Sequence, residues 1–198
     1  MKKIMFNDRY GLTKAVLEGR KTMTRRVIKA PRTMEGKDVY GFAVAKRPGS
    51  DEWIEVMALD EDEGMINNIL PKYKPGEVVA VAQAYKDTWG NPDFLFDDRS
   101  GWSNKMFVAA DLMPHQIHIT NVRIERLQDI SDEDCLQEGI LEDCPNVQYS
   151  FPSEIGYCGQ YPFNTPREAF AGLIDKVSGK GTWESNPWVF VYEVELVR

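Results

Sequence analysis

Strand-like segments outnumber helical ones in this chain, and the two do not alternate. That order argues against a doubly wound parallel sheet, which needs regular strand–helix–strand units, and favours an α+β fold built on a small barrel. The longest strand candidate is the C-terminal run Trp188-Val189-Phe190-Val191-Tyr192-Glu193-Val194-Glu195-Leu196. Residues 21–28, rich in β-branched side chains, and residues 78–85, which follow the turn Lys74-Pro75-Gly76-Glu77, read the same way. In residues 117–127, Ile117 and Ile119 are followed by Val122 and Ile124, and this change of phase predicts a β-bulge. Residues 106–110 are a further strand candidate.

Helix signals are fewer. Residues 8–18 carry a cap at Asn7 or Asp8, an apolar stripe of Leu12, Ala15 and Val16, and Gly19 just beyond. Ser131-Asp132-Glu133-Asp134 opens a short helix that closes near Gly139. Thr165-Pro166-Arg167-Glu168 combines a Thr cap, Pro at the first helical position and a following Glu, and Phe170, Leu173, Ile174 and Val177 then recur at helical spacing. Two stretches interrupt this frame and read as insertions in a single domain covering residues 1–198. Residues 30–75 contain a candidate hairpin, 39–44 with 53–59, turning at Arg47-Pro48-Gly49-Ser50. Residues 141–164 are irregular, with Pro145, Pro152, Gly156, Gly159 and Pro162.

Several function classes fall away on composition. A net charge of −7 sets the overall field against a long polyanion, so any nucleic-acid contact is expected from a local cluster of Lys and Arg, or from a small ligand. No apolar run has the length of a membrane helix, and the N-terminus lacks the apolar stretch of a signal peptide. Cys135, Cys144 and Cys158 are odd in number and irregularly spaced, which suits a reducing cytoplasm better than a disulfide framework or a zinc site. His115 and His118, on a strand, would face opposite sides, so a shared metal is not expected. No Gly-rich phosphate loop is present, and no cofactor is implied. Trp102, Trp183 and Trp188 can stack on bases or close the core, and Trp188, inside an apolar strand, favours the core.

One segment stands apart. Gly19-Arg20-Lys21-Thr22-Met23-Thr24-Arg25-Arg26 places four basic residues and two hydroxyls within eight positions. From local chemistry alone, the simplest reading is a basic helix-to-strand junction whose charges pair with surface acids. The functional reading is a grip for phosphate or carboxylate by Arg20, Arg25 and Arg26, or a Thr hydroxyl activated by the amine of Lys21. On a regular strand Lys21 points away from Thr24. The two meet only if Lys21 lies on the preceding turn or the strand is bulged.

This segment resembles the signature of the ASCH superfamily, in which Gly-x-Lys-Thr-x-Thr-x-Arg follows a short first helix. The wider pattern is similar to that of small phage and prophage members. It continues through Val122-Arg123-Ile124-Glu125-Arg126-Leu127-Gln128-Asp129-Ile130-Ser131-Asp132-Glu133-Asp134, then Gln137-Glu138-Gly139-Ile140, and ends on Asn186-Pro187-Trp188-Val189-Phe190-Val191-Tyr192-Glu193-Val194. The resemblance spans both ends of the chain and roughly half its length. It implies a PUA-like barrel with flanking helices and an RNA-related role. Residues 22–28, 78–85, 117–126 and 188–196 are then expected in one sheet system. Some members are amidohydrolases that deacylate acetylcytidine, and by motif match their lysine, second threonine and glutamate are Lys21, Thr24 and Glu138.

The chain departs from the phage pattern at Ala82 and Gln83, where an Arg and a Glu are usual. Gln83 can read a base edge but cannot transfer a proton. Glu138, near a helix end, is also a natural solvent-facing residue. Two readings stand. One is a binding module for RNA or a nucleotide-like ligand, held by Arg20, Arg25, Arg26 and Gln83. The other is a small amidohydrolase acting on a modified nucleoside through Lys21, Thr24 and Glu138.

Overall fold

The computed structural model describes residues 1–49, 52–88, 100–143, 148–153, 156–157 and 163–197. Its elements run in the order β1 (Lys3–Ile4), α1 (Leu12–Leu17), β2 (Met23–Val27), β3 (Thr33–Met34), β4 (Lys37–Asp38), β5 (Gly41–Lys46), β6 (Trp53–Leu59), β7 (Met65–Asn68), β8 (Val78–Val81), α2 (Tyr85–Thr88) and β9 (Gln116–Arg126). They continue with α3 (Asp132–Gln137), β10 (Leu141–Asp143), β11 (Gln148–Ser150), β12 (Pro152–Ser153), β13 (Gly156–Tyr157), α4 (Pro166–Ser178), α5 (Thr182–Ser185) and β14 (Trp188–Val197). The architecture is α+β, and one eight-stranded sheet dominates it. Among the described residues no helix is long and apolar enough to cross a membrane.

The sheet backbone follows the order β1-β8-β9-β14-β2, so the four segments expected together do share one sheet. Pairing is antiparallel except for β1 on β8. The β9–β14 pair is its spine. Its register slips where Glu193 pairs with Asn121 and Val194 with Ile119, leaving Thr120 as the extra residue of the bulge that the sequence phase predicts. The apolar residues on either side of it, Ile119 and Val194, are buried. The end strands β1 and β2 do not pair, yet Arg26 Nη2 donates to the carbonyl of Met5, just beyond β1, at 2.6 Å. The sheet therefore curls until its two ends are one side chain apart.

The residues between β2 and β8 are more ordered than a loop insertion. β5, β6 and β7 form an antiparallel meander, and β6 joins the main sheet through Trp53 opposite Ile124. The expected hairpin is present, although Ser50 of its turn lies outside the described residues. Trp53 meets Trp188 edge to face at 4.6 Å, and the Arg126 guanidinium stacks over Trp188 at 4.2 Å. Residues 141–164 contribute the short hairpins β10–β11 and β12–β13, while Cys144, Cys158, Pro145, Gly159 and Pro162 lie outside the described residues.

Three local expectations change. The first helix is split: Asp8–Tyr10 is a single 3₁₀ turn, and Gly11 (φ +62°) resets the chain before α1. A Cβ at Gly11 would sit 3.2 Å from Pro152, so both conformation and space favour glycine there. The strand expected at 78–85 stops at Val81. The strand expected at 106–110 is instead two 3₁₀ turns, Lys105–Phe107 and Ala110–Leu112. Asn104 caps the first at 2.9 Å, and Lys3 Nζ takes the carbonyls of Met106 and Val108, acceptors that a neighbouring strand would otherwise use.

Helix α4 starts as its sequence dictates. Thr165 Oγ1 accepts from the Glu168 N–H at 3.1 Å, and Glu168 Oε2 accepts from the Asn164 N–H. It buries Ala169, Phe170, Leu173 and Ile174 against the core, each large side chain contributing about 1.5–3 kcal/mol. That face also forms one wall of the site.

Candidate functional site

After α1, Gly19 (φ +72°) reverses the chain, and the N–H groups of Arg20 and Lys21 both reach the Ala15 carbonyl, at 2.9 and 3.0 Å. Lys21 thus lies on the turn and not on β2, which begins at Met23. This is the arrangement that lets Lys21 and Thr24 serve one site. Thr22 fastens the turn on both sides: its N–H donates to Gln137 O at 3.0 Å and its carbonyl accepts from Val194 N–H at 2.8 Å.

Glu138 arrives from the C-terminal end of α3. Ser131 caps that helix by accepting from the Asp134 N–H at 3.1 Å. The four-residue spacing of Asp134 and Glu138 sends both carboxylates to the same neighbour, Arg25. Gly139 (φ +101°) lets the helix end close against α1, where a Cβ would sit 3.5 Å from Leu12 and 3.7 Å from Lys21.

Lys21, Thr24 and Glu138 line one cavity of about 70 Å³, together with Phe6, Asn7, Arg26 and the α4 face at Phe170 and Ile174. Lys21, Thr24 and Glu138 are 3%, 4% and 4% exposed. Lys21 Nζ donates to Glu138 Oε2 at 2.5 Å and to the Glu138 carbonyl at 2.8 Å. Burial pushes the Lys21 ammonium below the ordinary lysine range, and the Glu138 carboxylate partly opposes that push. Among the described residues the Thr24 hydroxyl has no hydrogen-bond partner, and it is not sealed from solvent. Asn7 Oδ1 accepts from the Arg9 N–H at 3.0 Å, while its amide N–H groups donate to none of the described residues.

Arg25 is built into the wall. Its guanidinium, wholly buried, contacts Glu125 Oε1 at 2.7 Å, Asp134 Oδ2 at 2.5 Å and Glu138 Oε1 at 3.3 Å. Burial alone would weaken this cation, but the carboxylates of Glu138 and Glu125 outweigh burial and hold it charged. Arg123 extends the network to Glu125, Asp134 and Glu193. Arg25 faces acids rather than open space. Arg26 differs: it also lines the cavity, but it bonds Met5 O, lies 5.7 Å from the Phe6 ring centre and pairs with no carboxylate among the described residues.

The other residues singled out from the sequence lie elsewhere. Arg20 is outside the cavity and pairs with Glu18 at 2.7 Å. Gln83 is not in the lining either, and its Oε1 accepts from His115 Nδ1 at 2.7 Å. His118 sits apart on β9, and no group of three or more metal-ligating side chains gathers among the described residues. Trp183 packs on Phe170 and under Arg167. Cys135 is fully buried, and burial raises its thiol to about 12, so it is no thiolate nucleophile beside Arg25.

Sequence reasoning does not reach Asn7, Phe6 or the α4 wall. Their only signal is the helical spacing of Phe170 and Ile174, which also fits plain core packing. No protein-family model, curated protein or solved structure matches the chain.

Proposed function

We propose that this chain is an ASCH-type amidohydrolase with a PUA-like barrel, which removes a small acyl group from the exocyclic nitrogen of an acylated nucleoside such as acetylcytidine. The observation that carries the reading is the shared cavity of Lys21, Thr24 and Glu138, whose lining holds both an unpartnered hydroxyl and a buried amine of lowered pKa. A lowered pKa makes the neutral amine more accessible, which suits a base. The curl of the sheet, bridged by Arg26 and Met5, supports the barrel.

In this reading neutral Lys21 takes the Thr24 proton as Oγ1 attacks the acyl carbon. The carbonyl oxygen becomes an oxyanion, for which the Asn7 amide and Arg26 are the available donors. Collapse breaks the carbon–nitrogen bond, and the Lys21 ammonium returns its proton to the leaving amine. Water, deprotonated by the same lysine, then attacks the acyl-threonine ester; the carbon–Oγ1 bond breaks, the Lys21 ammonium returns its proton to the Thr24 oxygen, and the carboxylic acid is freed. Glu138 orients Lys21 through its carboxylate and carbonyl, and Arg25 orients Glu138. A cavity of about 70 Å³ suits the acyl end of such a substrate better than a whole nucleoside.

The test is incubation of the purified protein with acetylcytidine while cytidine release is followed. Release above background that disappears in Thr24→Val supports the reading. No release from the wild type rejects this substrate, and equal release from both proteins rejects Thr24 as nucleophile. Retained ligand affinity without turnover would favour the pure binding module.

A further inference from the structure

A second cavity, of about 390 Å³, shares the lining residues Arg26 and Val27 with the first. Its volume suits a mononucleotide-sized ligand. The groove is apolar: Tyr73 and Tyr192, 5.5 Å apart edge to face, lie buried beneath it with Phe190, while Met5 and Leu70 expose apolar surface at its side. This floor is held firmly. Tyr73 Oη donates to Lys3 O at 2.8 Å, and Tyr192 Oη accepts the Lys72 N–H at 3.1 Å.

The rim carries Arg26, Lys29 and Lys72, and among the described residues none of the three pairs with a carboxylate. Lys29 and Lys72 are exposed, and the Lys72 ammonium lies 5.4 Å from the Tyr73 ring centre. In a chain of net charge −7, three cations gathered around one groove make it locally positive. An apolar groove with a cationic rim fits a ligand with a planar ring and an anionic group.

We propose that this groove is the leaving-group subsite and that it selects a nucleoside carrying a phosphate, a mononucleotide, over the neutral nucleoside. The acyl end enters the Lys21 cavity, the ring lies over the Tyr73–Tyr192 floor, and the phosphate meets Lys29 and Lys72. The shared residue Arg26 stands between the two ends. This inference rests on the Lys21 cavity being the reaction centre, because that centre fixes which end of the substrate the groove receives.

The experiment is calorimetric titration of the full chain with cytidine and with cytidine monophosphate, at low and at physiological salt. The wild type is compared with Lys29→Ala/Lys72→Ala, two exposed positions whose change leaves the core intact. Cytidine monophosphate is expected to bind about tenfold or more tightly than cytidine at low salt, with the advantage shrinking as salt rises. The double variant is expected to lose that advantage and to keep its cytidine affinity. Equal affinities in the wild type, no binding of either ligand, or an undiminished advantage in the double variant overturns the proposal. A short oligocytidylate that binds more than about tenfold tighter than the mononucleotide also overturns it, in favour of an RNA strand. Thr24→Val separates the two readings: it is expected to keep the phosphate preference while losing acetylcytidine turnover. A phosphate preference in a wild type that releases no cytidine from acetylcytidine would reject the reaction and leave the anion subsite standing.

Discussion

Lys21 and Glu138, 117 positions apart in the chain, meet through two hydrogen bonds, one to the carboxylate at 2.5 Å and one to the main-chain carbonyl at 2.8 Å. Both side chains are almost wholly buried. Breaking a buried pair by removing one member leaves a charge without its partner, which costs about 3–5 kcal/mol. Replacing both members by neutral groups of similar shape costs much less. Lys21→Met and Glu138→Gln are each expected to lower unfolding free energy strongly in urea titrations, and the double variant is expected to recover much of the loss. All three are expected to lack turnover. Additive single losses would show that the pair is not coupled.

Thr24 offers the opposite combination. Its hydroxyl makes no hydrogen bond to the described residues, so exchanging it for a methyl group breaks no contact within the protein. Thr24→Val is expected to leave the melting temperature unchanged or slightly higher, while kcat falls by ~10³-fold or more. A clear loss of stability would mean that the hydroxyl has a structural role.

The pH dependence follows from Lys21. Burial depresses its pKa against the opposing pull of Glu138, while an unfolded lysine titrates near about 10.4. A base must be neutral, so kcat is expected to rise with pH along a limb centred below that value. Between the folded and unfolded pKa values the unfolded chain binds more protons, so stability also rises with pH across that window. Lys21→Met is expected to flatten this part of the stability curve. A kcat limb centred at or above the ordinary lysine value would contradict the assignment.

Much of the frame is legible in the sequence because it depends on local signals. The phase change between Ile119 and Val122 marks the Thr120 bulge, and Thr165-Pro166 with Glu168 marks the start of α4. The Lys21 turn is half legible: Gly19 announces a left-handed residue, but only the reach of Arg20 and Lys21 to Ala15 O fixes where the strand begins. Arg25 shows the limit. Next to Arg26 in sequence it has the same chemistry, and its separation from solvent depends on Glu125, Asp134 and Glu138, which come from distant positions. No spacing rule distinguishes the arginine in the wall from the arginine facing the cavity. The 3₁₀ turns at 105–112 were hidden for the same reason, because Lys3 satisfies their carbonyls from across the fold.

Arg25→Lys keeps the charge and removes the fork that joins Glu125, Asp134 and Glu138. A lysine cannot hold all three in the same geometry, so Glu138 loses one of its anchors. The expected result is a stability loss of about 1–3 kcal/mol and a fall in kcat with little change in KM. A rise in KM alone would make Arg25 a substrate contact instead.

Asn7 carries the most specific expectation. Its Oδ1 caps the 3₁₀ turn by accepting from Arg9, and its amide donors are unused beside the Thr24 hydroxyl's cavity. The two roles separate by substitution. Asn7→Asp keeps an oxygen for the cap and removes the donors, while Asn7→Ala removes both. If the amide stabilises the oxyanion, kcat falls by about 10²–10³ in both variants. The melting temperature is expected to fall only in Asn7→Ala, by the loss of a cap contributing about 0.5–2 kcal/mol. Thermal unfolding and single-turnover rates measured on both proteins decide the matter. A rate that tracks stability, normal in Asn7→Asp and reduced in Asn7→Ala, would assign Asn7 to the cap alone and leave Arg26 as the oxyanion donor.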